Sequence, residues 1–403
     1  MEIEIEKLVY GGQGLGRADG RAVLVPFVLP GERVEVETVR ETPGLLHAKP
    51  LSWPLQAEAR VAPPCPVFGR CGGCDYQHIP YARQLEYKQQ ILLETLSRIG
   101  KIKWDGPVGV IAGEPWGYRN RTQLRVLKRG RDAQAGFFEA GSHRFVAAEN
   151  CPINSPALNR VHETLLAMAA DRRFPNFLQE VEIFSNESEV QINARQTERP
   201  LAKSFFDWCA ERIEGFANWI DYASGDDVFR VGPRSFFQVN RFLVDSLAKC
   251  ALGDAPGKTC LDLYAGVGLF TLPLTRRFQR VVAVDASRQA VRDLQFNAER
   301  AGLETATVDL EIVNLDVAAF LADFQETPDF VVADPPRAGL GPKVTAELLG
   351  LKSPRLQLVS CDPATLARDL AALTAGGYHI NALTLVDLFP QTFHLETVAA
   401  LSL

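Results

Sequence analysis

Apolar and polar residues alternate in short segments over the first 53 residues of the chain. The segments EIEIEKLVY, RAVLVPFVL and ERVEVETVRE are separated by GGQGLGRADG and PGE. Strands that bury one face alternate in this way, and clusters of Gly and Pro end them in turns. The pattern predicts a small antiparallel β-barrel over residues 1–53.

The pattern changes at a Pro-rich segment, SWPLQAEARVAPPCP, which begins a central region at residues 54–230. An amphipathic helix is predicted over residues 81–99, where apolar residues recur with helical spacing. Alternating segments follow, among them LQEVEIFSNESEVQINA and NWIDYA, together with one helical segment, PALNRVHETLLAMAA. We expect a mixed α+β domain built around one sheet.

The pattern of residues 231–403 predicts a third domain, which belongs to a different fold class. Beyond Gly253, apolar strands and amphipathic helices alternate strictly. This order is typical of a Rossmann-like, doubly wound parallel sheet with helices on both faces. The predicted fold class is therefore α/β for the C-terminal domain, preceded by the small barrel and the mixed domain.

The composition is that of an ordinary globular protein, with 46% hydrophobic and 23% charged residues. No apolar run approaches the length of a membrane span, and the N-terminal MEIEIEKLVYGG lacks the basic and apolar regions of a signal peptide. We expect a cytoplasmic protein with no membrane partner. A net charge of −6 argues against a generally basic surface, so contact with nucleic acid should be confined to a local face.

Four of the eight cysteines are spaced as metal ligands rather than as a disulfide scaffold. The run CPVFGRCGGC brings three thiols together in a turn rich in Gly and Pro, and CPINSP supplies a fourth from a distant loop. These residues are Cys65, Cys71, Cys74 and Cys151. Four thiolates bind either an iron–sulfur cluster or zinc, and the residues alone leave both open.

A local basic strip extends from Arg119 to Arg131 in the segment YRNRTQLRVLKRGRD. On a strand, alternate residues share a face, so Arg119, Arg121 and Arg125 could line one surface and contact phosphates. The alternative is a solvated edge strand, on which positive charge discourages aggregation. The residues themselves do not separate the two interpretations.

Polar side chains follow several strands of the predicted parallel sheet. The segment KTCLDLYAGVGLFTLPL reads as strand, glycine turn and helix, and the next strand ends at Asp285. Further strand tips carry Asn314 and Asp334. Because ligands bind at the carboxyl edge of such sheets, we expect a cofactor there. Thr271 occupies the third position of a GxGxxG pattern, which favours a methyl-donor site over a dinucleotide site.

Cys361 is a candidate nucleophile because it lies between a strand and a helix. The apolar segment LQLVS precedes it, Asp362 is a good N-cap, and Pro363 suits the first turn. The positive end of the helix dipole is expected to favour thiolate over thiol. The alternative is a small apolar side chain that packs at the end of a strand.

These motifs together resemble the RNA uracil-C5 methyltransferases, which depend on S-adenosylmethionine. The resemblance extends over nearly the whole chain and includes SFFQVN, LDLYAGVGLF, AVDAS, DPPRAG, VSCDPATLARD and FPQTFHLE. It implies a TRAM (OB-like) barrel at residues 1–53, a 4Fe–4S cluster on the four cysteines, and a Rossmann-like methyltransferase domain. The presence of both extensions favours the branch that acts on 23S rRNA.

The resemblance also assigns roles to single residues. Cys361 is implied as the nucleophile and Glu396 as the proton acceptor, with Phe236 as a residue that stacks on the extruded base or else packs in the core. Leu269 occupies a place where relatives often carry Asn, so one polar cofactor contact is expected to be missing. The residues implied to contact the methyl donor are Gln238, Tyr264, Asp285, Asn314 and Asp334.

The implied reaction transfers a methyl group to C5 of a uridine through a covalent adduct between the cysteine and C6. The partner is RNA, either 23S rRNA or, by the same mechanism, tRNA. Two other functions stay open: an amino-group methyltransferase, because DPPR resembles the turn that holds an amine, and a non-catalytic RNA-binding protein. We expect a monomer, although no residue pattern indicates the oligomeric state.

Overall fold

The structure is a computed structural model that describes residues 1–129, 132–254, 256–303 and 308–403. The helices within these residues are α1 Tyr81–Ile99, α2 Pro156–Ala169, α3 Lys203–Arg212, α4 Val244–Leu252, α5 Thr271–Thr275, α6 Arg288–Arg300, α7 Val317–Asp323, α8 Gly341–Leu351 and α9 Pro363–Ala375. The first strands are β1 Glu2–Val9, β2 Gln13–Ala18, β3 Arg21–Pro26, β4 Arg33–Thr42, β5 Leu45–Leu55, β6 Val108–Ile111, β7 Arg121–Arg129, β8 Asp132–Phe138, β9 Phe145–Ala147 and β10 Leu178–Ser185. The remaining strands are β11 Val190–Thr197, β12 Ile220–Ser224, β13 Asp227–Val231, β14 Gly257–Leu263, β15 Phe278–Val284, β16 Asp309–Val313, β17 Phe330–Ala333, β18 Arg355–Ser360, β19 His379–Val386 and β20 Thr397–Ser402.

Strands β1 to β5 close into a barrel, in the order β1-β2-β3-β5-β4. Alternate side chains such as Ile3, Ile5 and Val34 point into its interior, which explains the alternating sequence of this region. One neighbouring pair, β3 and β5, runs parallel. The predicted N-terminal barrel is confirmed, with this one departure from antiparallel pairing.

The central sheet has the strand order β11-β10-β7-β8-β9 and is antiparallel throughout. Leu124 and Val126 of β7 face a core that also includes side chains of α2 and α3. The alternate residues of β7 and β10 therefore lie on the other face, and this face carries arginine and glutamate side chains.

The C-terminal sheet has the order β16-β15-β14-β17-β18-β20-β19-β6 within the described residues. Strands β14 to β18 pair in parallel, and β20 inserts antiparallel between β18 and β19. The turns that follow β14, β15, β16, β17 and β18 consequently lie along one edge. The predicted Rossmann-like α/β class is confirmed.

Two segments of the predicted central region pack with the C-terminal sheet instead. Strand β6 pairs in parallel with β19, for example Val108 opposite Leu383. Ile91 and Leu92 of α1 are buried in the same apolar core as Leu366 of α9. Residues 54–230 therefore do not form one separate unit, because this apolar helix face and this strand find their partners near the C-terminus.

No helix in the described part of the chain is both long and apolar enough to cross a membrane.

Candidate active site and cysteine cavity

Cys361 and Glu396 are brought together by the antiparallel pairing of β18 with β20. Ser360, the last residue of β18, pairs with Thr397, the first residue of β20. Cys361 directly follows Ser360, and Glu396 directly precedes Thr397. Cys361 and Glu396 therefore occupy the next pair of opposed positions along the two strands. Glu396 is buried, whereas Cys361 keeps part of its surface. The structure thus places a thiol beside a carboxyl group at the edge of the parallel sheet.

Burial and neighbouring acids hold this pair in neutral forms. Burial, together with the nearby Glu396 and Asp334, raises the pKa of the Cys361 thiol to about 12, while Arg337 acts in the opposite direction. Burial and Asp334 likewise raise the pKa of Glu396 well above its ordinary value. In the free protein, therefore, the thiol is favoured over the thiolate.

The helix after Cys361 begins as predicted, but it does not activate the sulfur. Asp362 is the N-cap of α9, and its Oδ1 accepts hydrogen bonds from the backbone N–H groups of Ala364 at 2.9 Å and Thr365 at 3.0 Å. These amides are occupied by the Asp362 carboxylate. The expectation that the helix N-terminus lowers the thiol pKa is therefore wrong for the free protein, because burial and the acidic neighbours dominate.

The turn after β14 has the backbone conformation of a ligand cradle. Tyr264 adopts a φ of 64°, unusual for a residue other than glycine, and Gly266 and Gly268 also have positive φ. A Cβ at Gly268 would come within 2.4 Å of Leu294 Cδ1, so this position requires glycine. The backbone N–H of Gly266 donates to Asp285 Oδ2 at 2.9 Å, which joins the tips of β14 and β15.

The other predicted cofactor residues lie at this same edge. Asn314, at the tip of β16, donates from Nδ2 to the backbone oxygen of Asp285 at 2.9 Å. Gln238 donates from Nε2 to Asp334 Oδ2 at 3.3 Å. Burial raises the pKa of Asp334 to about 7. Leu269, in contrast, packs in an apolar cluster, so its side chain makes no polar contact in the cradle.

The four predicted metal ligands line one cavity of about 270 Å³: Cys65, Cys71, Cys74 and Cys151. In the described residues, no group of three or more His, Cys, Asp or Glu side chains is arranged to hold a metal ion. In a four-iron cluster each cysteine sulfur binds a different iron. The structure therefore brings the four thiols to one cavity without arranging them around a metal ion in the described residues.

Arg119 and Arg121 line this cavity too, and neither lies on an open strand face. Arg119 precedes β7, and its Nε is buried and has no hydrogen-bond partner among the described residues. The Arg121 side chain is 11% exposed and donates from Nη1 to Ser235 O at 2.9 Å. Arg125 pairs with Glu180 at 3.3 Å. The predicted exposed basic face is therefore not formed by these residues, and Gly130 and Arg131 lie outside the described residues.

Comparison with known proteins agrees with this architecture. The family profile described as tRNA (Uracil-5-)-methyltransferase matches residues 220–402, and the profile of the TRAM domain matches residues 1–51. An uncharacterized RNA methyltransferase of Aquifex aeolicus is 32% identical over 100% of this chain and 98% of its own length. A 23S rRNA (uracil(1939)-C(5))-methyltransferase of Alkalilimnicola ehrlichii is 32% identical over 99% of this chain and 95% of its own length. The chain belongs to the RNA uracil-C5 methyltransferase family.

A solved structure of the same family covers the whole methyltransferase. The crystal structure of the Pyrococcus abyssi tRNA (uracil-54, C5)-methyltransferase in complex with S-adenosyl-L-homocysteine covers 100% of both chains, with 27% identity and a TM-score of 0.76. The protein is thus an S-adenosylmethionine-dependent RNA methyltransferase with an N-terminal TRAM domain. The predicted donor-contacting residues Asp285, Asn314 and Asp334 lie at the tips of β15, β16 and β17.

The structure gives contacts near the predicted site that the sequence did not reveal, one of them for Thr271, which the sequence had marked only as a missing glycine. Thr271 donates from Oγ1 to Asp262 Oδ2 at 2.5 Å, which ties α5 to β14 and explains why threonine replaces the third glycine. Arg337, exposed in the DPPR turn, is the cation that acts on Cys361 and Glu396. Tyr10 and Asp75 come from distant parts of the chain and form hydrogen bonds with Asp362 and Phe393, and no local pattern marks them.

Proposed function

We propose that this methyltransferase transfers the methyl group of S-adenosylmethionine to C5 of a uridine in 23S rRNA through a covalent adduct between Cys361 and uracil C6. The observation that carries the proposal is the pairing of β18 with β20, which sets the Cys361 thiol beside the Glu396 carboxyl group. Both lie at the edge where Gln238 and Asp334 meet. This arrangement supports a nucleophile and a base at the edge where the donor is proposed to bind.

The chemistry explains why a thiol and a carboxylate are both needed. Uracil C5 is a poor nucleophile, and addition of the Cys361 sulfur to C6 gives C5 carbanion character. Bound S-adenosylmethionine supplies an electrophilic methyl group, which C5 takes. The Glu396 carboxylate then removes the C5 proton, the C5–C6 double bond re-forms, and the bond between sulfur and C6 breaks. The thiolate is recovered.

The neutral forms that burial favours in the free protein must change before this reaction. Bound at this edge, the positive sulfonium of S-adenosylmethionine would favour the ionised forms of Asp334 and Glu396 and the thiolate of Cys361. Arg337, exposed at the same place, acts in the same direction. We therefore propose that the nucleophile is deprotonated after the donor binds and not before.

The RNA base is proposed to enter beside Phe236. This side chain is 63% exposed, although both of its neighbours, Ser235 and Phe237, are buried. It lies two residues before Gln238, which contacts Asp334. An exposed aromatic ring at the entrance of an active site suits stacking on an extruded base.

A 4Fe–4S cluster is proposed for the cysteine cavity. Cys65, Cys71, Cys74 and Cys151 would each hold one iron, and the cluster would supply a rigid, anionic centre for the surrounding loops. Arg119 supports this assignment, because its cationic side chain lines the same cavity with an unpaired Nε. A partly buried cation that has no carboxylate partner in the described part of the chain fits beside a negatively charged group.

Ribosomal RNA is favoured as the substrate by the relative from Alkalilimnicola ehrlichii, which matches this chain over 99% of its length. Transfer RNA is the second candidate, because the solved structure that covers the whole chain belongs to a tRNA enzyme. RNA isolated from cells that lack the protein distinguishes the two candidate substrates. Loss of 5-methyluridine from one position in 23S rRNA, with tRNA unchanged, is expected. Loss from tRNA alone would contradict the proposal, which also places the enzyme in the cytoplasm with its RNA.

A further inference from the structure

The loop between β19 and β20, residues 387–396, ends at Glu396 and is here called the closing loop. Its beginning is anchored by a fully buried ion pair between Lys88 Nζ and Asp387 Oδ1 at 2.6 Å, and Lys88 also donates to Phe389 O at 2.9 Å. These contacts come from α1. They fix the start of the loop but lie several residues away from the carboxyl group that removes the proton.

The middle of the closing loop is held by the residues that follow Cys74. The backbone N–H groups of Asp75 and Tyr76 both donate to Gln391 O, each at 2.9 Å. The Asp75 carboxylate accepts from the backbone N–H of Phe393 at 3.4 Å through Oδ2. Asp75 therefore contacts the loop through its backbone and its side chain, and the Phe393 contact lies three residues before Glu396.

Asp75 is itself held in place by the barrel. Gly12, in the turn between β1 and β2, has a φ of 82°, and a Cβ at this position would come within 3.0 Å of Asp75 Cβ. The Asp75 side chain thus lies between the barrel turn and the closing loop, directly after one of the four cysteines. Little space remains for the carboxylate to move away from Phe393.

We propose that Asp75 is a positioning residue for the base, because its carboxylate fixes the closing loop in the register that directs Glu396 toward C5 of the target uridine. This inference rests on the proposed function, in which Glu396 removes the C5 proton. Asp75 reaches neither the RNA nor the methyl donor by this account. Because Asp75 directly follows Cys74, it links the cysteine cavity to one step of the reaction, the removal of the C5 proton.

The connection predicts which step depends on Asp75. Cys361 is held by β18 and α9, not by the closing loop, so sulfur addition and methyl transfer should survive when the loop shifts. Removal of the acceptor leaves the Phe393 N–H without a partner and lets the end of the loop move. Proton removal then slows, and the methylated RNA stays attached to Cys361.

The experiment is a single turnover with full-length protein, the RNA substrate and S-adenosylmethionine that carries a labelled methyl group. Denaturing gels separate methylated RNA bound to protein from free methylated RNA. In Asp75→Ala we expect the bound fraction to rise several-fold, at a rate of label incorporation close to that of the wild type. Asp75→Asn, which keeps an acceptor oxygen, should restore the wild-type fraction, and the exposed Asp105→Ala serves as the control.

A general structural role gives a different result. If Asp75→Ala lowers label incorporation without a rise in the bound fraction, the positioning role is overturned. Asp75→Ser is tested in the same way in case the alanine variant does not fold, since serine is too short to reach Phe393. Glu396→Gln is run in parallel: if it does not accumulate bound RNA, the proposed function fails, whereas accumulation there but not in Asp75→Ala overturns the positioning role alone.

Discussion

The hydroxyl of Tyr10, in the turn that follows β1 of the barrel, donates a hydrogen bond to Asp362 Oδ2 at 3.1 Å. Asp362 is the residue next to Cys361 and the N-cap of α9. The Tyr10 ring also meets the ring of Phe393 edge-on, with centroids 5.4 Å apart. The TRAM domain therefore touches both sides of the active site, the cysteine side and the side of the closing loop.

Tyr10→Phe is expected to lower the rate of methyl transfer several-fold without changing affinity for S-adenosylmethionine. The change removes a hydrogen bond to a carboxylate, a contact of about 1.5–3 kcal/mol, and loosens Asp362 beside the nucleophile. Single-turnover rates and donor binding by calorimetry measure the two quantities. Tyr87→Phe is the matched control, since this half-buried tyrosine packs on the same core. Equal rates for Tyr10→Phe and wild type would contradict a role for the barrel beyond RNA binding.

The cysteine cavity predicts about four irons per chain and a brown protein after anaerobic purification. Cys71→Ser should lose most of the iron and the visible absorbance, because one of the four ligands is gone. Cys250→Ser should keep both, since Cys250 is a partly buried thiol elsewhere. Metal analysis and absorbance spectra test this. Stoichiometric zinc in a colourless protein would reject the cluster.

The sequence predicted those parts of the site that follow local rules. The Asp362 cap and Pro363 depend on a few neighbouring residues, and the polar strand tips share an edge because parallel strands end together. The orientation of Arg121 could not be predicted in this way. Alternation shows which residues of β7 share a face, but the loop that carries Cys151 and the segment at Ser235 decide whether that face is open.

Long-range pairing and burial explain the other differences. Strand β6 has four residues, and its partner β19 lies far along the chain, so no local signal assigns it to the C-terminal sheet. The elevated pKa of Cys361 depends first on burial and then on Glu396 and Asp334, which lie at the ends of two other strands. The contacts of Tyr10 and Asp75 could not be predicted for the same reason: their partners are 352 and 318 residues away.

The buried carboxyl group of Asp262 is expected to make the free energy of unfolding depend on pH. Burial raises its pKa from 3.8 to about 7. Between these values the folded protein keeps a proton that the unfolded chain has lost, so this group lowers the free energy of unfolding as pH rises through the window. Asp262→Asn has no charge to bury and should gain stability over the wild type by about 1 kcal/mol for each pH unit within the window.

Urea unfolding at several pH values from about 5 to about 7 measures this difference. The asparagine can still accept the hydrogen bond from Thr271, so the two proteins differ mainly in the buried charge. Asp254→Asn, at an exposed position, is the control and should show no pH-dependent gain. A constant difference between Asp262→Asn and wild type would show that Asp262 does not titrate in this range.

Phe236→Ala is expected to raise KM for RNA several-fold while affinity for S-adenosylmethionine stays unchanged. Stacking of one base on an aromatic ring contributes about 1–3 kcal/mol. The ring of Phe236 is exposed, so its removal should not disturb the apolar core. The control is Phe242→Ala, a second partly exposed phenylalanine, whose ring stacks under Arg241. If both variants keep the wild-type KM, the base does not stack on Phe236.

The two ends of the proposed covalent cycle can be separated by substitutions at Cys361 and Glu396. Cys361→Ala should abolish methyl transfer and form no adduct, because C5 is never activated. Glu396→Gln should still add the sulfur and transfer the methyl group, but the C5 proton would remain and the RNA would stay attached.

An RNA with 5-fluorouridine at the target should trap the adduct even in the wild type, because fluorine cannot leave as a cation. Denaturing gels reveal the attached RNA as a shifted band. An amino-group methyltransferase would retain activity in Cys361→Ala, and a shifted band in that variant would assign the nucleophile to another residue.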